Sequence, residues 1–413
     1  MKPGSTTAWT RLSLGGAKLA VRAAVPLLAM TFPLAVAQDK PVAASPLFVN
    51  AVEAALVRTF EQLSRQQIDA ALKEMDTLLE RNPNFRLGHI IKGDLLMARS
   101  GKPVAFGQEE ASAAPFKHEA RVRLDRYLSA PPPGHVPDAL LQVSPQHKHV
   151  LLVDTERHRL YVFENENGRP RPVIDFYVSA GKNGDDKERE GDQRTPLGVY
   201  HVTSSVPREK LPDFYGSGAY PINYPNAWDK ANGRNGSGIW LHGTPSNTYS
   251  RPPRASDGCV VLTNDDFLRL GNYVDIGSTP VVLTSKVEWL TPERWTAEKR
   301  SFNDALETWR KDWESRDVER YLSHYSERFI ADGKGFSEWA EKKRFIAAGK
   351  KHIKVDIDVI DSLAFRPTES GAAQMVVTYR QDYRSNNLNN KMMKRQVWSK
   401  ENGRWKIMFE TAA

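Results

Sequence analysis

Apolar residues in the first part of the chain follow the spacing of a helix. One run has them at Ala70, Leu72, Met75, Leu78 and Leu79. This run stops at Asn82-Pro83, and a second apolar run begins at Phe85 and ends near Gly101. The spacing predicts two antiparallel helices, because Pro and Gly end helices at these places. We therefore expect an N-terminal all-α hairpin within residues 38–130.

The layout of Ala70, Leu72, Pro83 and Gly93 resembles one tetratricopeptide unit. A lone unit of that kind cannot bury its own apolar face. Residues 47–128 are therefore interpreted in two ways. They either dock a partner, such as a second copy in a homodimer or another envelope protein, or cap the next domain. The prolines of residues 131–133 and Pro137 predict a stiff linker over residues 131–146.

The period of the apolar pattern changes from helix to strand at His149. Short apolar runs then recur between Gly- and Pro-rich turns, at Val150–Val153, Leu160–Phe163, Val173–Val178, Gly198–Val202, Ile239–Leu241 and Val281–Leu283. Such a series predicts a mainly-β domain with long loops, here over residues 147–286. Loops carried by a rigid sheet are common places for functional residues.

The last segment, residues 290–413, predicts helices first and strands afterwards. Helical spacing runs from Trp295 to Trp313, and further helices are expected at Val318–Phe329 and Phe336–Ala348. Strands are predicted at Ile353–Ile360, Gln374–Tyr383, Lys394–Trp398 and Trp405–Phe409. This order predicts an α+β cone. Its aromatic cluster from Trp309 to Phe329 is either core or the wall of a pocket for a peptide or glycan fragment.

The first 37 residues predict a signal peptide. Four basic residues and no acidic one precede an apolar stretch, Ala23–Val36, and a small-x-small cleavage site, Ala35–Ala37. The alternative is an uncleaved anchor helix. No later apolar run is long enough for a membrane span after cleavage. We therefore expect a periplasmic or cell-envelope protein.

Charge sets one further limit on the function. Removing the four leader charges from the formal net charge of +8 leaves +4 for the mature chain. That surplus is compatible with an anionic polymer, and nothing in it indicates a nucleic-acid partner.

The candidate chemistry centres on the single cysteine, Cys259. A lone exported thiol is either a buried small hydrophobe or a reactive group. His242 ends an apolar strand, and Cys259 follows on a Gly-containing turn. An imidazole can take the thiol proton and leave a thiolate–imidazolium pair. Gly258 would let N–H groups near the cysteine face a developing oxyanion, each donor being worth roughly 3 kcal/mol.

Four motifs in order carry a family resemblance. They are Gly191–Tyr200, Tyr224–Ala227, His242–Thr244 and Ser256-x-Gly258-Cys259. Together they resemble the L,D-transpeptidase catalytic domain of the YkuD-like family, over about residues 147–286. Residues 300–411 resemble a nuclear transport factor 2 (NTF2)-like domain, which accompanies the branch of that family that includes peptidoglycan L,D-carboxypeptidases of cell-shape control. The fold class implied is multidomain: the N-terminal all-α hairpin, a mainly-β L,D-transpeptidase catalytic domain and a C-terminal α+β NTF2-like cone.

The resemblance implies roles for individual residues. It makes Cys259 the nucleophile, His242 its base and the Gly243 carbonyl the third member of a triad, with the N–H groups of Gly258 and Cys259 as oxyanion hole. Candidate substrate-binding residues are Tyr224, Arg251, Arg254, Ser256 and Asp257. Asp257 and Val261 depart from the usual family residues, which bears on substrate contacts only. Asp192 and Arg194 either hold the neighbouring loop or form a surface ion pair.

No cofactor and no metal are expected, because one Cys and His242 lack further ligands at usable spacing. The implied partner is the stem peptide of peptidoglycan. The first hypothesis is an L,D-transpeptidase that makes 3→3 crosslinks, and the second is an L,D-carboxypeptidase that uses water as acceptor. A third is a non-catalytic envelope scaffold.

Overall fold

The computed structural model describes residues 50–101, 110–368 and 371–413. The predicted signal peptide, residues 1–37, lies outside this part of the chain. Within the described ranges, no helix combines the length and apolarity that crossing a membrane requires.

The helices and strands are numbered here in chain order. The helices are α1 (Ala51–Ser64), α2 (Ile68–Arg81), α3 (Arg86–Arg99), α4 (Glu110–Leu128), α5 (Ala227–Ala231), α6 (Asn264–Leu270), α7 (Pro292–Ser315), α8 (Val318–Leu322) and α9 (Phe336–Ala348). The strands up to the middle of the chain are β1 (Val136–Pro137), β2 (Leu140–Gln142), β3 (His149–Asp154), β4 (Arg159–Glu166), β5 (Arg169–Tyr177), β6 (Ala180–Gly181), β7 (Gly198–His201), β8 (Val206–Pro207), β9 (Gly218–Pro221) and β10 (Trp240–His242). The remaining strands are β11 (Arg254–Ser256), β12 (Val260–Val261), β13 (Pro280–Thr284), β14 (Trp289–Leu290), β15 (Tyr325–Ala331), β16 (Lys334–Gly335), β17 (Ile353–Phe365), β18 (Gln374–Ser385), β19 (Asn389–Glu401) and β20 (Arg404–Ala412).

The predicted hairpin corresponds to α2 and α3, and α1 and α4 add to it. Leu56 of α1, Met75 of α2, Leu87 of α3 and Ala120 of α4 share one apolar core. The added helices cover the apolar face that a two-helix unit leaves open. Helix α1 begins where the Asn50 side chain accepts the Val52 N–H at 2.9 Å, an N-cap hydrogen bond.

The central part is built on a five-stranded sheet of order β5-β4-β3-β13-β7. Strands β3 and β13 are parallel and fully buried, which explains their unbroken apolar sequences. A second sheet, of order β12-β10-β9-β8, carries the short strands around the motifs at 242–261. The domain is therefore mainly β, as its strand pattern predicts.

The C-terminal part is a seven-stranded sheet of order β16-β15-β20-β19-β18-β17-β2, covered by α7 to α9. The prediction of one helix over Val318–Phe329 is wrong beyond Leu322. Tyr325 and Phe329 point into the core from strand β15 instead, because that strand pairs in parallel with β20. Trp309 and Phe329 are core residues, whereas Trp313 and Tyr321 border a cavity of about 210 Å³.

The segment predicted as a linker, residues 131–146, contributes two strands rather than a free spacer. Strand β1 pairs with β14, and β2 forms the edge of the C-terminal sheet by pairing with β17. The catalytic-domain core also continues into that sheet, where Phe409 lies 5.5 Å from Trp228 between ring centroids. The central and C-terminal parts are therefore packed together.

Candidate active site

His242 and Cys259 lie on neighbouring strands of the second sheet. Strands β10 and β12 are parallel, and their register pairs Leu241 with Val260 and His242 with Val261. Cys259 immediately precedes β12, so this pairing holds it beside the β10 strand that ends in His242. The half-buried thiol donates a hydrogen bond to the Gly238 carbonyl at 3.3 Å.

The His242 ring is held in one tautomer. Its Nδ1 lies 2.7 Å from the Gly243 carbonyl oxygen. A carbonyl oxygen only accepts, so Nδ1 carries the proton and Nε2 keeps a free lone pair. The ring is buried, with 1% of its surface exposed. Nε2 is therefore the nitrogen that can take a proton.

Both groups of the pair are neutral in this environment. Burial lowers the pKa of His242 to about 4, against the raising effect of the Gly243 hydrogen bond. Burial raises the pKa of the Cys259 thiol to about 11, against the lowering effects of a Trp240 backbone hydrogen bond and the Arg251 charge. Burial thus favours the neutral thiol and the neutral imidazole over the thiolate–imidazolium pair.

The turn before Cys259 is fixed by two hydroxyl groups. Ser256 Oγ donates to the Cys259 carbonyl at 2.6 Å and accepts the Gly258 N–H at 3.2 Å. Thr195 Oγ1 donates to the Gly258 carbonyl at 3.0 Å. Ser256, expected to bind substrate, is 1% exposed and instead shapes the turn. Of the two expected oxyanion donors, the Gly258 N–H is engaged by Ser256, which leaves the Cys259 N–H.

Gly258 is required by both conformation and space. Its φ is +123°, and a Cβ atom there would meet the Arg194 carbonyl oxygen at 2.7 Å. L-residues rarely adopt such a φ. The loop that supplies Arg194 therefore packs directly on the backbone of the turn before Cys259.

That loop is organised by Asp192. Its carboxylate accepts hydrogen bonds from Lys187 Nζ at 2.7 Å and from the backbone N–H groups of Glu188, Arg189 and Arg194 at 2.8, 3.0 and 3.1 Å. Burial alone would raise the pKa of Asp192, but these donors lower it to about 2. Asp192 holds the loop beside Cys259, one of the two expected roles.

Two of the expected substrate-binding residues are engaged elsewhere. Tyr224 is buried, and its hydroxyl donates to the Asn235 carbonyl at 3.0 Å, so it is a core residue. Arg254 forms a two-point ion pair with Asp185 at 2.6 and 3.2 Å, so its guanidinium is occupied. Neither side chain is therefore free to contact a substrate.

Asp257 and Arg251 remain at the surface of the site. Asp257 is exposed and pairs with Lys182 at 3.0 Å. The Arg251 guanidinium stacks over Phe214 at 4.4 Å, and no carboxylate within the described ranges forms an ion pair with it. Its charge lowers the pKa of Cys259, which places it in electrostatic reach of the thiol. The Arg251 guanidinium can therefore pair with a carboxylate.

Phe214, Tyr215 and the role of Asn264 could not be predicted from any motif in the sequence. The rings of Phe214 and Tyr215 lie 5.9 and 5.0 Å from the His242 ring. Asn264 accepts the Ser217 N–H and donates to the Thr244 carbonyl, both at 2.8 Å. It therefore joins the segment that carries Phe214 and Tyr215 to the segment that follows His242. The residue before it, Thr263, caps helix α6 by accepting the Asp266 N–H at 3.2 Å.

Gly258→Ala is expected to destabilise the protein by about 3 kcal/mol, because strain at positive φ adds to a clash with backbone. Gly184→Ala is the matched control, since Gly184 has φ +95° and open space around it. For that control we expect a cost of about 1 kcal/mol. Denaturant unfolding of both variants measures the difference, and equal losses would contradict the close packing on Arg194.

Alkylation of Cys259 by iodoacetamide should rise with pH well above neutrality. The raised pKa means that the thiolate forms only as pH approaches about 11, whereas an unperturbed thiol would titrate near ~8.5. Since the chain has one cysteine, the rate at which free thiol is lost reports Cys259 alone. A rate plateau between about pH 6 and 8 would instead show a preformed ion pair.

Comparison with known proteins follows the same division of the chain. Residues 148–283 match the L,D-transpeptidase catalytic domain (YkuD), and residues 301–411 match the Cds6 C-terminal NTF2-like domain. YafK of Escherichia coli K12, which bears the name of an L,D-transpeptidase, is 34% identical over 110 residues, 26% of this chain. The match spans only 39% of YafK.

Two solved structures are similar over more of the chain. Bd1075 of Bdellovibrio bacteriovorus is 29% identical with a TM-score of 0.56, covering 68% of this chain and 98% of that one. The helical cell shape determining protein Pgp2 of Campylobacter jejuni is 25% identical with a TM-score of 0.56, covering 66% and 95%. Residues 148–283 of this chain thus belong to the L,D-transpeptidase catalytic-domain family of enzymes, and residues 301–411 to the Cds6-type NTF2-like family.

Proposed function

We propose that this protein is a peptidoglycan L,D-transpeptidase of the cell envelope, with Cys259 as nucleophile and His242 as general base. The observation that carries the proposal is the Nδ1 hydrogen bond of His242 to the Gly243 carbonyl. It leaves Nε2 unprotonated on the strand next to Cys259, in a domain of this family. The predicted signal peptide supports the envelope location.

The reaction would proceed by acyl transfer. The Cys259 sulfur attacks the carbonyl of the L-centre that precedes D-alanine in a tetrapeptide stem, and its proton passes to Nε2 of His242. Because both groups rest neutral, proton transfer accompanies the attack rather than preceding it. The Cys259 N–H faces the oxyanion. The C–N bond then breaks, D-alanine leaves with the proton from His242, and a thioester remains.

The acceptor decides the product. An amine from a second stem, deprotonated by His242, attacks the thioester and yields a 3→3 crosslink with the free thiol. Water at the same place yields a tripeptide, which would make the protein an L,D-carboxypeptidase. The likeness to a cell shape determining protein over 66% of the chain supports keeping this second function.

The decisive measurement is the product mixture after mature protein is incubated with tetrapeptide muropeptides. Crosslinked dimers are expected, and Cys259→Ala should abolish every product because no acyl-enzyme can form. Tripeptide without dimer would replace the transpeptidase with the carboxypeptidase. If Cys259→Ala leaves the muropeptide profile of cells unchanged, both enzyme functions fail and the scaffold hypothesis gains.

Arg251 is proposed to bind the carboxylate of the terminal D-alanine, next to the bond that breaks. Arg251→Gln should raise KM for the tetrapeptide about tenfold or more and change kcat less, since a charge-assisted hydrogen bond is lost. A tetrapeptide with a C-terminal amide is the matched control, because it offers no carboxylate to either protein. If Arg251→Gln slows acid and amide substrates equally, Arg251 does not read the carboxylate.

A further inference from the structure

The segment from Thr248 to Pro253 lies between the two reactive residues and is held from outside by several hydrogen bonds. Tyr177 donates its hydroxyl to the Arg251 carbonyl at 2.9 Å, and Ser179 donates to the Pro252 carbonyl at 2.6 Å. Both donors stand at the end of strand β5 and beyond it. We call residues 248–253 the anchor loop, because it carries Arg251.

The helical region also grips the anchor loop. Ser250 donates its hydroxyl to Glu119 of α4 at 2.7 Å, and both residues are buried. The Tyr249 N–H donates to the Asn84 carbonyl at 3.3 Å, and the Tyr249 ring packs edge-on against Phe85 at 5.0 Å. The residues flanking Arg251 on its N-terminal side are thus fixed by helices outside the catalytic domain.

Glu119 belongs to a buried chain of charges that joins the helices to the sheet. Arg123 bonds Glu119 at 3.0 Å and Glu53 at 3.3 Å. Glu53 also bonds Arg159 of β4 at 2.6 Å, and Arg159 lies 3.4 Å from Asp175 of β5. The five side chains are between 1% and 6% exposed. Each charge is therefore held in place by partners rather than by water.

Arg123 connects the two sets of loop contacts. Its guanidinium lies 3.8 Å from the centre of the Tyr177 ring while it bonds Glu119. Tyr177 and Glu119 are the residues that hold Arg251 and Ser250. Arg123 of α4 thus contacts both Tyr177 and Glu119, whose hydrogen bonds hold the anchor loop at Arg251 and at Ser250.

A buried charge network of this kind is a costly way to join two domains. Replacing such a network with apolar residues is often neutral or stabilising, because desolvation of the charges offsets their attraction. In some proteins such charges are retained because they select one geometry. Here the fixed element is the Ser250 hydroxyl, which donates to Glu119 and lies one residue from Arg251.

We propose that Glu119 is a positioning residue for the catalytic site. By accepting the Ser250 hydroxyl, it sets the anchor loop so that the Arg251 guanidinium lies over Phe214 and beside Cys259. The N-terminal helices are then part of the active-site apparatus rather than only a cap or docking surface. This inference rests on the proposed roles of Cys259 and Arg251 but needs no peptidoglycan to be tested.

The test compares two alkylating probes of nearly equal shape. In each, the Cys259 thiolate displaces iodide and forms a sulfur–carbon bond, but iodoacetate carries a carboxylate and iodoacetamide an uncharged amide. The ratio of their rates reports a cation beside the thiol and cancels changes in thiolate fraction. Arg251→Gln should lower the iodoacetate-to-iodoacetamide ratio about fivefold.

Ser250→Ala should lower the same ratio nearly as far as Arg251→Gln, and the double variant should lower it no further. Ser250→Thr keeps the hydroxyl and should retain the wild-type ratio. Ser326→Ala is the matched control, since Ser326 donates to Glu401 at 2.8 Å in the C-terminal domain and is equally buried. Thermal unfolding of each variant confirms that the fold persists.

A wild-type ratio in folded Ser250→Ala would overturn the positioning role. Should Ser250→Ala fail to fold, Glu119→Asp keeps the charge but draws the acceptor back by one methylene, and the same loss of ratio is expected. If Arg251→Gln leaves the ratio unchanged, Arg251 is not the carboxylate anchor and the inference falls with it. The muropeptide products decide the proposed reaction separately from all of these rates.

Discussion

The site depends on one short hydrogen bond between His242 Nδ1 and the carbonyl of the next residue, Gly243. It uses no side-chain partner, so the surrounding backbone must hold the carbonyl still. The Gly243 N–H bonds the Tyr215 carbonyl at 3.1 Å, and Asn264 joins the loops on either side. A Cβ atom at Gly243 would collide with Asn264. The tautomer of His242 therefore depends on both Gly243 and Asn264.

Burial gives this pair its resting chemistry. Burial favours the protonated thiol and the neutral imidazole, because each charged form would lose solvation. The neutral pair has little thiolate to react with small oxidants, since the thiolate is the reactive species. The positive charge of Arg251 opposes this effect of burial, because it favours the thiolate and lowers the pKa of Cys259. Substrate binding would change this balance by bringing a carboxylate to Arg251.

The structure brings the predicted residues Cys259 and His242 onto neighbouring strands, whereas most of their surroundings were not predictable from the sequence. Cys259, His242 and Gly243 stand in local motifs, so their spacing carries the information. Arg254 looked equally available, but its partner Asp185 is 69 positions away and no local pattern reveals it. Tyr224, also expected to bind substrate, is buried in the core. The strand at Tyr325–Ala331 escaped detection because its buried aromatics also fit helical spacing, and only pairing with β20 decides between the two.

Contacts between residues far apart in sequence also explain why the sequence predicts sharper domain boundaries than the structure shows. Residues 131–146 have linker composition, yet Leu140 is fully buried and β2 completes the C-terminal sheet. The core of the catalytic domain extends to Val397 and Phe409 on one side, and Glu53 of the helices reaches Arg159 of β4 on another. The catalytic sheet thus makes apolar contacts with the C-terminal domain and ionic contacts with the N-terminal helices. Apolar packing supplies stability without fixing orientation closely, whereas the paired charges fix one arrangement. The ionic contacts are the ones that reach the anchor loop, through Glu119 and Ser250. The arrangement that they fix therefore includes the residues of the proposed active site.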